Sequence, residues 1–352
     1  MIRGDSHKNN FGFLRLLFAY LVILSHSPEL IDGNSSRELL HQLTDNLTFG
    51  VLAVDGFFII SGYLICQSFV HSTNLKSFLF KRILRIYPAF VAIWIISIFL
   101  IVPLAGGWHL LNNLSIFDWA RMIVKIFALS QPHVNDFLFV EHIKPLNGSM
   151  WTIRYEFMCY LIIPIIALIG LNKRNAVLIL ILSISLNIYT RVTGTDWVIQ
   201  SPIPFSLFIF TRLLSAFMIG ICFYQYRERL MWNNKISLFC FTLLTFCLFN
   251  PQFAELGLII FGSYLLFNFA FNFNNSFIQK IGTENDISYG VYLHAWPVQG
   301  LFIQSFSNIN PWILTVITIC TVSITGYLSW IWIEKPFLLM KKSLNNQIST
   351  NK

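Results

Sequence analysis

His26 is the side chain of this sequence best suited to moving a proton near neutral pH, because a free imidazole titrates near 6.5. It shares an apolar run, Phe11 to Ser27, with Arg15. Eleven residues separate the two. At 100° per residue they fall about 20° apart, on one helix face and about 16 Å apart along the axis. One reading of the pair is chemistry along that face. The other is an arginine snorkelling to the interface and an interfacial histidine.

Five more ionisable residues interrupt apolar runs: Asp55, Arg154, Glu156, Arg212 and His294. Each costs roughly 2.5–3.5 kcal/mol at a helix centre in a membrane, so each needs a partner or a task. Glu156 lies about a turn and a half beyond Trp151, too deep for an interface, and calls for an Arg, His or hydroxyl partner. Trp151 and Tyr155 fit an aromatic belt. His294, beside Trp296 and Pro297, reads as a packing residue. Gly56, Ser61 and Gly62 permit either close helix contact or a hydroxyl beside a ligand. Lys81, Arg82 and Arg85 crowd onto one turn before Pro88. They fit a topology signal touching lipid phosphates, or a clamp for a phosphorylated ligand, since arginine donates through a rigid fork.

The elements that position these groups follow from composition. Only 11% of the 352 residues are charged, 55% are hydrophobic and mean hydropathy is +0.64. A soluble fold carries about 25% charge, so a water-facing surface is excluded. Disorder is excluded by the apolar content, and a β-barrel by the continuous apolar runs. The fold class is an all-α polytopic membrane helical bundle. Ten spans are expected, at 11–27, 50–70, 88–104, 150–171, 176–191, 203–226, 236–249, 253–272, 285–305 and 311–334. The basic segment Lys76–Tyr87 and the mixed segment Ile116–Ser130 read as interfacial helices.

The net charge of +8 needs no nucleic-acid partner, because the basic residues sit between apolar runs. With the N-terminus inside, 17 of the 24 Lys and Arg fall on the cytoplasmic side and five outside, with Arg154 and Arg212 within spans. Both termini are therefore expected in the cytoplasm. The polar start followed by an apolar run imitates a signal peptide, but lacks a small-residue cleavage site and reads as a retained first helix. The six cysteines lie in apolar runs without a CxxC pair and read as packing residues, with no metal site. No repeat or soluble domain is evident, and loops 28–49 and 105–149 are short for an enzyme domain. A single membrane domain over 1–352 is expected, with any chemistry in or beside the helices.

Taken together, the motifs resemble the acyltransferase-3 family of membrane acyltransferases over most of the chain. They are Arg15 and His26; the run from Val54 to Leu64; Arg82, Arg85 and Pro88; the run from Asn147 to Glu156; the run from Ser288 to Leu293; and Glu334, Lys335 and Pro336. The resemblance implies about ten helices and cytoplasmic acyl-CoA, commonly acetyl-CoA, as donor. It implies acylation of sugars and other acceptors, essential roles for Arg15 and His26, and acyl-CoA handling by Arg82 and Arg85. One departure is at Ala295, where many members carry histidine; His294 lies about 100° away around the helix. No C-terminal hydrolase domain of the kind some members carry is expected.

Acyl transfer from a thioester to a hydroxyl needs a base, donors for the oxyanion and a grip on the CoA phosphates. The expected assignment makes His26 the base, or an acyl-imidazole nucleophile, and Glu156 the group that orients it. Arg82 and Arg85 hold CoA phosphates, Arg15 a phosphate or the pantetheine arm, and Ser61, Tyr155 and Trp151 line the reaction centre. No tightly bound cofactor is expected. The expected acceptor is a bacterial envelope glycan or lipid-linked sugar, such as a lipopolysaccharide O-antigen, at the cytoplasmic membrane. A secondary transporter of an acyl group or lipid-linked sugar also buries such residues, but no inverted repeat is found. A glycan polymerase would bring a large external loop. The orientation is tested by cysteines at positions 37 and 343, which should label from opposite faces; labelling from one face overturns the span alternation.

Overall fold

A computed structural model describes residues 9–134, 137, 139, 145–199, 205–306 and 308–340. Among the described residues, eleven helices of ten residues or more follow one another in chain order. They are α1 (Phe11–Asp32), α2 (Phe49–Val70), α3 (Leu75–Leu104), α4 (Ile116–Phe127), α5 (Gly148–Ile169) and α6 (Lys173–Thr193). After these come α7 (Leu207–Tyr226), α8 (Asn234–Leu248), α9 (Ala254–Asn272), α10 (Ser288–Ser305) and α11 (Pro311–Met340). Strand content among the described residues is one two-residue antiparallel pair, Val198–Ile199 with Phe205–Ser206. The protein is an all-α polytopic membrane protein.

Helices form at all ten expected places, but eight are long and apolar enough to cross a membrane. The two that fall short are α8, with 15 residues, and α10, whose 18 residues include Ser288, His294, Gln299 and Gln304. Three boundaries also differ. α1 continues through Pro28 to Asp32 instead of ending at Ser27. The basic segment Lys76–Tyr87 is the first half of α3, not a separate interfacial helix, because the helix runs on through Pro88. A 30-residue helix is about 45 Å long, more than a ~30 Å hydrocarbon layer, so its charged half need not lie within it. The last π turn of α11, Trp330–Glu334, is likewise continuous with a helix to Met340.

α4 has the form expected of an interfacial helix. Ser115 and Asp118 close a capping box at its start, and Ile116, Phe117, Ile123, Val124 and Phe127 are exposed. The Ser115 hydroxyl, then its backbone N–H, hold the Asp118 carboxyl below the usual carboxylate range.

The helices gather into two compact units. The first holds residues up to Phe18, Glu38–Ser72 and Tyr155–Glu284; the second holds Ala19–Arg37, Thr73–Arg154 and the chain from Asn285. The first unit is organised on α2 and α7. Glycines let these helices touch: a Cβ on Gly62 would lie 1.9 Å from the Phe217 carbonyl oxygen, and one on Gly220 2.1 Å from that of Ile59. Across this contact Arg212 of α7 donates to Asp55 of α2 from Nε (3.1 Å) and Nη2 (2.9 Å). The two charges flagged in separate spans thus neutralise each other in a pair sealed from solvent. Phe11, Tyr63, Phe223, Phe267 and Phe271 fill the rest with edge-to-face, tilted and stacked rings.

In the second unit α10 packs along α11 and reaches α3. Gly290 faces Gly326, where a Cβ would lie 2.9 Å from the opposite Cα. Arg154 of α5 donates to the Ala128 carbonyl (3.0 Å) and to the Ser130 hydroxyl, so this intramembrane arginine caps the end of α4. Removing one partner of a buried pair strands the other's charge. Arg212→Leu should therefore cost about 3–5 kcal/mol, and Asp55→Leu in the same chain should restore most of it. Thermal unfolding in detergent checks this; equal melting of the single and double variants overturns the pairing.

Candidate active site

His26 stands on the late part of α1, one turn before Glu29. Its Nδ1 lies 2.9 Å from Glu29 Oε2. A carboxylate can only accept, so Nδ1 carries the hydrogen and Nε2 is left as the basic nitrogen. The histidine and carboxylate side chains are 24% and 37% exposed, so the pair is half-sheltered yet reachable. The orienting role expected of Glu156 thus has a different occupant at Nδ1. The i, i+3 spacing was the signal for Glu29. The expected span ended at Ser27 and so left Glu29 outside it. In the structure Pro28 lies inside α1.

α10 and α11 fix the histidine's turn. Trp296 of α10 sets its indole edge-to-face with the imidazole, centroids 5.0 Å apart and planes at 72°. Its Nε1–H donates to the Pro145 carbonyl (3.1 Å). One turn later Gln299, 1% exposed, donates to the Ile23 carbonyl (3.0 Å) and the Ser27 hydroxyl (2.8 Å). Thr315 of α11 donates to the same hydroxyl (2.8 Å). Tyr20 and Ser323 join α1 to α11 a little earlier (2.8 Å). Buried polar bonds of this kind hold one register, since any slip leaves them unmade.

The segment that opens α5 lies on the other side of Trp296. A Cβ on Gly148 would fall 2.5 Å from two carbons of the indole, so only glycine fits there. Asn147 Nδ2 donates to the Leu293 carbonyl (2.9 Å), and the Tyr292 hydroxyl donates to the Ser149 carbonyl (2.5 Å). Thr152 lies 2.7 Å from the same tyrosine oxygen. The motif from Asn147 to Thr152 and the motif from Ser288 to Leu293 are thus two sides of one contact. His294 has a separate fate: its Nδ1–H donates to the Gly290 carbonyl one turn back (2.7 Å), a packing role as its sequence setting indicated.

The basic turn of α3 divides. Arg85 donates to Asp286 (Nη2, 2.9 Å) and Glu334 (Nη1, 3.1 Å), and its guanidinium lies over the Tyr289 ring. Ser288 donates to Asp286 (2.6 Å) and Ser329 to Glu334 (3.4 Å). Glu334 is 2% exposed. A phosphate at Arg85 would meet two carboxylates, so Arg85 as found is an anchor between α3, the start of α10 and the π turn of α11. Arg82 is buried, with its guanidinium 5.7 Å from the Phe78 ring centroid.

Of the remaining expected residues, Ser61, Tyr155, Glu156 and Arg15 lie in the first unit and Trp151 in the second. Glu156 Oε1 accepts from the Ser61 hydroxyl (3.3 Å) and from Tyr160. This meets the demand for a hydroxyl partner and joins two residues that the sequence set apart. Tyr155 uses its hydroxyl to accept from the Ser206 backbone N–H (3.0 Å) and is 5% exposed, so it fastens the start of α7. Arg15 is half-buried on the first half of α1, and Trp151 half-buried in the first turn of α5.

Residues 9–330 match an acyltransferase domain, the profile of the acyltransferase-3 family. The chain belongs to that family. It is similar to an O-acetyl transferase of Shigella phage Sf6, 30% identical over 94% of this chain and 97% of the relative. It is 24% identical to nodulation protein 10 of Rhizobium leguminosarum bv. viciae, over 97% and 96% of the two chains. A peptidoglycan O-acetyltransferase of Listeria monocytogenes is 25% identical over 87% of this chain and 55% of its own. No solved structure matches the chain. The protein is an integral membrane acyltransferase of this family.

Arg85→Ala would take one cation from two buried carboxylates, a loss of about 3–5 kcal/mol. The prediction is that it lowers the amount of folded protein in membranes, whereas the exposed-site variant Arg121→Ala does not. Fluorescence-detected size exclusion separates the two; equal yields overturn the anchoring role.

Proposed function

We propose that the protein transfers an acetyl group from acetyl-CoA to a hydroxyl of a cell-envelope glycan or lipid-linked sugar. The observation that carries the reading is the His26–Glu29 pair, a polarised imidazole on a membrane helix with its Nε2 uncommitted to Glu29. Relatives named as O-acetyl transferase and peptidoglycan O-acetyltransferase support the acetyl group and the glycan. The name of the Rhizobium relative carries neither.

His26 Nε2 takes the proton of the acceptor hydroxyl as its oxygen bonds to the thioester carbon. The carbonyl electron pair moves onto oxygen, returns as the C–S bond breaks, and the CoA thiolate takes the proton from His26. Glu29 keeps Nδ1–H fixed and stabilises the imidazolium formed between the two steps. Arg82 contributes a guanidinium for CoA phosphate, with Lys81 beside it in sequence, and Arg85 holds that stretch of α3 in place. Arg15, eleven residues before His26 on the same helix, reaches a phosphate or the pantetheine arm. The distribution of basic residues supports a bacterial cytoplasmic membrane with both termini inside.

The test is CoA release from acetyl-CoA by purified protein, with acetylated glycan followed by mass spectrometry. His26→Ala should lose about 10²–10⁴-fold in turnover. Glu29→Gln should lose at least ~10-fold, about 1.4 kcal/mol, in kcat with KM for acetyl-CoA little changed. Glu29→Asp should recover part of it. Near-normal turnover in His26→Ala sinks the assignment, and a loss in Glu29→Gln confined to KM sinks the orienting role.

A further inference from the structure

Two buried oxygens at the start of α5 have no hydrogen-bond partner: Asn147 Oδ1 and Ser149 Oγ. Asn147 is 0% and Ser149 2% exposed. An unpaired buried hydroxyl or amide oxygen costs about 1–3 kcal/mol, so two within three residues need a reason. Their place supplies one. Asparagine before a helix usually caps it with its side chain, but Asn147 makes no such bond and turns its Nδ2 to the Leu293 carbonyl instead. The first N–H groups of a 22-residue helix therefore lack the cap that this residue type provides. The turn is glycine-centred, and Trp296 bridges it to His26, touching the Gly148 Cβ position on one side and the imidazole on the other.

We propose that the turn from Asn147 to Ser149 receives the reacting thioester carbonyl, with the Ser149 hydroxyl as a donor to its oxyanion. This deepens the acetyl-transfer reading and rests on it. In a tetrahedral intermediate the base and the oxyanion donor flank the carbon about 7–8 Å apart, from ordinary hydrogen-bond lengths on both sides. The width of one indole is of that order. The Ser149 O–H and the positive end of α5 would supply charge of the right sign to the developing oxyanion. Asn147 is a positioning residue: by fastening to Leu293 it leaves the helix end uncapped. Trp296 covers the turn, so the acyl group reaches it by moving that ring's edge. The proton and electron movements are those given above; the oxyanion is held while the C–O bond forms and is released as the C–S bond breaks.

The test measures CoA release from acetyl-CoA by the full chain in detergent, together with thermal unfolding. Ser149→Ala should lower kcat by about 10²-fold, as loss of one oxyanion donor does, with KM little changed. Its melting temperature should hold or rise, because it removes an unpaired hydroxyl. Should that variant fail to fold, Ser149→Thr and Ser149→Val decide: they match in shape, and only Thr should retain turnover. Intact kcat with a lower melting temperature in Ser149→Ala means the hydroxyl binds structural water only and overturns the inference. So do equal rates in the Thr and Val variants. His26→Ala keeps the two failures apart. If it is inactive while Ser149→Ala is normal, only this inference falls. If it is as active as wild type, the acetyl-transfer reading falls as well.

Discussion

A polar group that enters an apolar helix bundle loses its water and must recover its hydrogen bonds from the protein. Much of this structure is arranged by that demand. Asp55 finds Arg212, Arg154 finds the end of α4, Arg85 finds Asp286 and Glu334, and Glu156 finds Ser61 and Tyr160. Each solution joins segments remote in sequence, so polar residues specify which helices meet where apolar surface alone would not. The close contacts at Gly62 with Gly220 and at Gly290 with Gly326 act with them, because short polar bonds need backbones that approach closely.

The candidate active site differs from these anchors in how completely its groups are satisfied. Ser27, Gln299 and Thr315 bond to one another and to the Ile23 carbonyl, and they are sealed. His26, one residue away, has one nitrogen committed to a half-exposed carboxylate. The rigid network holds the histidine's turn without bonding to its ring. This is the arrangement acyl transfer needs: a base fixed in tautomer and direction, with a second nitrogen left for the substrate.

Arg85 of α3 belongs with the anchors. It is spent on carboxylates and ties three elements. Its acidic partners lie 201 and 249 residues away, so nothing in the spacing of the basic turn reveals them.

The sequence by itself determined the class of protein, the places of its helices and the identity of nearly all its costly residues. Those depend on composition, apolar length and local spacing, which a single chain displays directly. It singled out His26 as a candidate and called for an Arg, His or hydroxyl partner for Glu156, of which the hydroxyl is the one found. It ended the first span at Ser27 and began the third at Pro88, whereas both helices run through a proline, since a helix continuing among other helices can absorb the missing N–H. That error hid Glu29, although its i, i+3 spacing from His26 was in view. Which carboxylate bonds to the histidine, what Arg85 bonds to and which glycine admits Trp296 were decided only by tertiary structure. Each depends on segments more than a hundred residues apart or on a helix continuing past its expected end, and sequence spacing carries no distance across such a gap.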